Sequence, residues 1–221
     1  MLALALISPL HALGEVLFSA HMVQHEILML AAAPLLVLSR PLVPMLRGMP
    51  MQWRRALGAW AKRPAVRGVW VGITRPFTAW WLHAVALWIW HAPQLFQATL
   101  TSDWMHSFQH ISFLGSALLF WWSMFYAESR STYGAGVLYI FTTGVHTSIL
   151  GALLTFARSA WYPAYALTTA AWQLSPLEDQ QVGGLIMWVP AGVVYLGAGL
   201  ALFAVWLRES DVEASRSRYA Q

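Results

Sequence analysis

The chain has 221 residues, 58% of them hydrophobic and only 10% charged, with 14 Trp and no Cys. A soluble domain carries about 25% charged residues, so the composition points to a multi-span membrane protein, and the lack of Cys excludes disulfides, Cys-ligated zinc and thiolate redox centres. The net charge of +4 does not mark a nucleic-acid partner, because the basic residues gather in one loop and the C-terminal tail rather than over a binding face.

In chain order, the opening MLALALISPL is apolar but too short to span a bilayer, and it lacks the basic leader of a signal peptide. It reads as the tail of a further N-terminal span, either truncated or begun at a late start codon. Apolar runs near the ~20 residues needed to cross a ~30 Å hydrocarbon core follow at about 15–38, 77–97, 104–126, 134–156 and 182–207. The fold class expected is all-α: one integral membrane domain over 1–221, a polytopic transmembrane helix bundle of five full spans plus the truncated one.

Orientation follows from charge. Loop 39–76 holds Arg40, Arg47, Arg54, Arg55, Lys62, Arg63, Arg67 and Arg75 and no acid, so it is expected on the cytoplasmic side. The tail, with Arg208, Arg216 and Arg218, and the connection 127–133 are expected there too. The outer connections are then 98–103 and the loop 157–181, which together hold one basic residue, Arg158. Within the basic loop, MPMQWRRALGAWAKRP (49–64) reads either as a short amphipathic helix on the inner membrane surface or as a solvated loop. The paired Trp80, Trp81, Trp121 and Trp122, with Trp104 and Trp172, read as interfacial belts.

Two stretches break the apolar pattern in the same way: HMVQH at 21–25 and HSFQH at 106–110. Histidines at i and i+4 share a helix face. At about 1.5 Å rise per residue, His25, His91 and His110 fall about 9–15 Å from the outer helix ends, and His146 about 15 Å. Four helices thus bring imidazoles to one layer in the outer half of the bilayer. Met22, Met29, Met105 and Met187 fringe that layer. His11 lies at the outer lip and His83 lies deeper, and both read as hydrogen-bonded helix contacts.

Imidazole suits Cu, Zn, Fe and Ni, and thioether favours Cu(I). A His-rich, Met-fringed, Cys-free layer therefore reads as a copper site with His21, His25, His91, His106, His110 and His146 as candidate ligands, although each Met taken singly reads as packing. A zinc peptidase would need H-E-x-x-H, but Met22 and Ser107 follow the leading histidines. A desaturase-type di-iron site would face the cytoplasm. A b-type haem held by two axial histidines, for example His25 and His110, stays open as an electron-carrier reading. A copper permease stays open as well, though it would need polar groups through the inner half, where His83 stands nearly alone.

At SPLEDQQVGGLIMWVP (175–190), Ser175, Pro176 and Glu178 form the pattern of a capping box. Asp179 is left over. It reads as helix-dipole compensation, as an acceptor for a ligand histidine N–H, or as a cation entry point.

FSAHMVQHEILML (18–30) with APLLVL (33–38), WIWHAPQLF (88–96), HSFQHISFL (106–114), LGALLTFA (150–157), WYPAYA (161–166) and PLEDQQVGGLIMWVP (176–190) stand in an order that resembles the polytopic CtaG family of cytochrome c oxidase assembly factors. The likeness covers about residues 5–207. It implies a multi-pass protein of the bacterial cytoplasmic membrane, not an enzyme, that binds a copper ion and assists metallation of the oxidase. Cytochrome c oxidase subunits, and an extracytoplasmic copper chaperone, are the partners implied. His21, His25, His91, His106, His110 and Asp179 match the blocks of the family, and His146 falls in a less distinctive one.

Overall fold

The structure is a computed structural model. It describes residues 1, 2, 5, 8–126 and 133–219, with side chains at 134–210 in the last stretch. Four residues of the N-terminal apolar tail, the connection at 127–132 and the side chains of Arg216 and Arg218 lie outside the described residues. Every regular element among the described residues is helical. Among the described residues, three stretches are long and apolar enough to cross a membrane: Phe18–Ser39, Gly134–Thr155 and Pro176–Ser210. The chain divides into two compact units, Met1–Ser8 with Ile27–Ala127, and Pro9–Glu26 with Glu128–Gln221.

In chain order, α1 is Pro9–Val16 and α2 is Phe18–Glu26; a π-helical stretch, Ile27–Ala32, leads into α3 (Ala33–Ser39). Next come α4 (Leu42–Gly48), α5 (Met51–Ala61), α6 (Pro64–Ile73), α7 (Pro76–Trp90), α8 (Pro93–Thr101) and α9 (Asp103–Tyr126). After α10 (Tyr133–Thr155), 3₁₀ turns at Pro163–Leu167 and Thr169–Trp172 precede α11 (Pro176–Tyr219).

Proline punctuates the unit that holds the basic loop. Pro64, Pro76 and Pro93 stand in the first turn of α6, α7 and α8, after Arg63, Arg75 and Ala92 in extended backbone with ψ of 134°, 135° and 128°. A residue before proline is driven out of the α region, while proline itself suits a helix start. For this reason no single helix covers 77–97. The run is divided at His91, the C-cap of α7. The sequence 49–64 is helical over Met51–Ala61, with no buried residue. Trp53, Leu57 and Trp60 recur at helical spacing on one side of it, with Arg55 opposite and Arg54 on the flank.

The core of this unit is α9. Phe113, Ala117 and Phe120 form a fully buried stripe at i, i+4 and i+7. Polar side chains lock its neighbours: Trp90 Nε1–H donates to Ser112 Oγ at 2.5 Å, and His83 Nδ1 lies 3.2 Å from Ser116 Oγ. Trp121 Nε1–H donates to the Met29 carbonyl at 2.9 Å, inside the π-helical stretch, where the widened ladder alters carbonyl pairing. Arg40, left-handed at φ 46°, ends α3 and donates from Nε to the Tyr126 hydroxyl at 2.8 Å.

In the other unit, α10 and α11 pack where glycine permits contact. A Cβ on Gly184 would lie 2.6 Å from the Thr155 nitrogen, and one on Gly151 would lie 2.9 Å from Trp188 Cβ. Small residues allow such backbone approach between membrane helices. The start of α11 follows the capping box: Ser175 N–H and Oγ–H donate to Glu178 Oε2, and Glu178 N–H donates back to Ser175 Oγ at 3.2 Å. Gln180 then binds both Trp161 N–H, at 2.6 Å, and the Leu154 carbonyl, at 3.5 Å. The first bond fastens the segment between the two helices to α11, and the second ties α11 to the end of α10.

Candidate metal centre

The helix α2 carries His21 and His25 one turn apart. Their rings sit 4.4 Å apart at 89°, and both residues are buried. His21 Nδ1 lies 3.4 Å from the Gly14 carbonyl. A carbonyl only accepts, so in this weak contact the ring donates from Nδ1. Metal-binding histidines are commonly oriented by such a bond from the second ring nitrogen.

The second pair stands on α9. His106 and His110 are both buried, with rings 4.4 Å apart at 56°. Within the same unit His91 ends α7 and turns its Nδ1–H onto the Leu87 carbonyl at 2.6 Å. Its ring lies among Phe96 and Phe113, with centroids at 6.5 and 6.0 Å. The strong Nδ1–H bond assigns the lone pair to Nε2. His146, on α10, is half-buried.

The methionines are placed less distinctively. Met22, Met29 and Met187 are buried and Met105 is half-buried. Met22 packs toward Gly183, where an added Cβ would come within 3.3 Å of its Cγ. Met29 contributes its backbone carbonyl to Trp121. His83 and His11 behave as the helix contacts expected of them. His83 meets Ser116 and Phe120, and His11 Nδ1 accepts from the buried Gln24 at 3.2 Å.

Asp179 is fully buried and both its carboxylate oxygens are engaged at the start of α2. Oδ2 accepts Phe18 N–H at 2.6 Å; Oδ1 accepts Ser19 N–H at 3.1 Å and Ser19 Oγ–H at 2.5 Å. Phe18 also stacks on Tyr162 at 4.7 Å. Around the interruption at Leu17, Tyr165 O–H donates to the Gly14 carbonyl at 3.0 Å and Thr168 Oγ1–H to the Val16 carbonyl at 2.7 Å. Burial, and then the nearby Asp179, push the Tyr165 hydroxyl well above its ordinary range, which keeps it a donor.

Sequence reasoning passes over Glu26. Its Oε2 is shielded from solvent and makes no hydrogen bond among the described residues. An acid inside an apolar helix is costly and marks a functional position by default. The signal is present, since Glu26 directly follows His25 in the middle of the 15–38 run.

An uncharacterised protein of Mycobacterium bovis (strain ATCC BAA-935 / AF2122/97) is 28% identical over 216 residues, covering 95% of this chain and 33% of the relative. A protein of Mycobacterium tuberculosis (strain CDC 1551 / Oshkosh) gives the same figures. One from Mycobacterium leprae (strain TN) is 26% identical over 217 residues, covering 92% of this chain and 32% of the relative. The chain thus spans about a third of the length of the curated relatives it matches. No solved structure matches it. Residues 1–209 match the family described as cytochrome c oxidase caa3 assembly factor, and with its blocks of paired histidines the chain belongs to that family.

Proposed function

We propose that the protein holds a copper ion in the outer half of a bacterial cytoplasmic membrane and passes it to a subunit of cytochrome c oxidase. The observation that carries this reading is the pair of buried H-x-x-x-H motifs, each with its rings 4.4 Å apart on a single helix. Each rigid helix offers two imidazoles in preset geometry, so little ordering is required when metal arrives. The proposed donors are the two histidine pairs, His21 with His25 and His106 with His110, each held on its own helix. His91 and His146 are further candidate ligands, with Met22, Met29, Met105 and Met187 as the softer fringe.

The donors fit copper. Neutral imidazoles satisfy a copper ion without burying additional charge, and the Nδ1–H bond of His91 keeps a lone pair on its Nε2. The copper is cargo rather than a resident cofactor, and the role is assembly, not catalysis. The basic loop 39–76 and the C-terminus lie on the cytoplasmic side in this reading. The segment 157–181 faces outward, where an extracytoplasmic copper chaperone delivers.

Metal analysis and an absorption spectrum on one sample of detergent-purified protein test this. Bound copper without a Soret band supports it. A Soret band, or copper uptake into sealed vesicles holding the protein, overturns it in favour of a haem carrier or a permease.

A further inference from the structure

The interruption at Leu17 is bridged from one side of the unit by residues about 150 to 160 positions away. Had α1 run on into α2, Phe18 and Ser19 N–H would have bonded to the carbonyls of Gly14 and Glu15. Instead Gly14 receives Tyr165, Val16 receives Thr168, and the two amides turn to Asp179. The helix restarts at once: His21 N–H donates to the Leu17 carbonyl at 3.1 Å, which makes Leu17 the N-cap residue of α2.

We infer that Asp179 is a positioning residue for the His21–His25 pair, acting as an N-cap supplied by another helix. The inference rests on the copper reading for its functional meaning. Both oxygens of Asp179 are used by the first two residues of α2, and Ser19 Oγ–H adds a third bond. A carboxylate at a helix N-terminus also opposes the positive end of the helix dipole. His21 stands three residues past Phe18, so the carboxylate fixes where the turn bearing His21 begins, and His25 follows on the next turn. The Gly14 carbonyl completes the arrangement, because it takes both the Tyr165 hydroxyl and the His21 Nδ1 contact. Gly183, one turn after Asp179 on α11, has the Phe18 ring where its Cβ would be. The start of α2 is thus gripped by polar bonds at Asp179 and by steric fit at Gly183.

This assignment replaces the two roles that the sequence leaves to Asp179 beyond dipole compensation. Its described bonds go to Phe18 and Ser19 and to no ligand histidine, and it is fully buried rather than at an entry.

The test compares wild type with Asp179→Ala, Asp179→Asn and Ser19→Ala in full-length purified protein. Hydrogen exchange on metal-free protein is followed over 18–26, and Cu(II) titration is followed by electron paramagnetic resonance. Asp179→Ala should speed exchange of the first amides of α2 by about tenfold. It should also weaken copper by roughly 10–100-fold and change the nitrogen hyperfine pattern. Asp179→Asn, which keeps one acceptor oxygen, should fall between, and Ser19→Ala should shift both readouts less. If Asp179→Ala is not inserted, the Asn and Ser19 variants carry the test with the same ordering. Unchanged exchange over 18–26 together with an unchanged hyperfine pattern overturns the inference. A wild type that binds no copper overturns the proposed function instead, and the exchange data then decide the capping role alone.

Discussion

The Nδ1 of His91 lies 2.6 Å from the carbonyl oxygen of Leu87, one turn earlier on α7. The bond forms because Ala92 and Pro93 stop the helix there, leaving the Leu87 carbonyl without its usual amide partner. The side chain caps its own helix and in doing so fixes its tautomer. Nitrogen-15 spectra of metal-free protein should show His91 protonated at Nδ1, and protonation at Nε2 would remove this residue from the set of donors. His91→Ala should reduce retained copper by about tenfold without lowering inserted protein.

Gly184 and Gly192 stand eight residues apart on α11 in opposite circumstances. A Cβ at Gly184 meets the Thr155 nitrogen and the Gly151 carbonyl at 2.6 and 2.9 Å, whereas one at Gly192 meets nothing within 4 Å. Gly184→Ala should therefore part α10 from α11 and cost about 1–3 kcal/mol. Gly192→Ala should be neutral or mildly stabilising. Thermal unfolding in detergent checks this, and equal midpoints for the two variants would contradict the packing described.

The chain has no cysteine, so single cysteines report sidedness directly. Leu167 is 92% exposed in the 157–181 segment, and Ala61 is exposed at the end of α5. Leu167→Cys should react with an impermeant thiol reagent in intact cells and Ala61→Cys should not. The opposite labelling would invert the proposed topology and with it the proposed outward placement of the histidine pairs.

Much of the candidate site is legible in the sequence. The ring-to-ring approach of His21 with His25, and of His106 with His110, follows from i, i+4 spacing alone. The Ser175–Glu178 capping box is equally readable, because its bonds lie within three residues. The division of 77–97 has its signal in Ala92–Pro93, but hydropathy runs through that dipeptide and masks it. The interruption at Leu17 carries no such signal. It has neither Pro nor Gly at the break and depends on Tyr165, Thr168 and Asp179, whose arrival is a property of packing and not of local sequence. Asp179 stands out as a leftover acid, but nothing among its neighbours in sequence shows that it caps a distant helix. Glu26 is hidden for a different reason, since one acid hardly lowers the mean hydropathy of a long apolar run.

Glu26 gives a further expectation. A shielded carboxyl oxygen without a hydrogen bond costs free energy that a leucine of similar size does not. Glu26→Leu should raise the unfolding midpoint, with a gain of about 1–3 kcal/mol. A lowered midpoint would show that the carboxyl makes a stabilising contact.

Copper content per protein, measured with the absorption spectrum on wild type and on the His25→Ala, His110→Ala double variant, tests the copper-holding role most directly. Wild type should carry copper and show no Soret band. The double variant should lose at least about tenfold of that copper at equal insertion, with oxidase activity lowered in cells. Full copper and full oxidase maturation in the double variant would contradict the role.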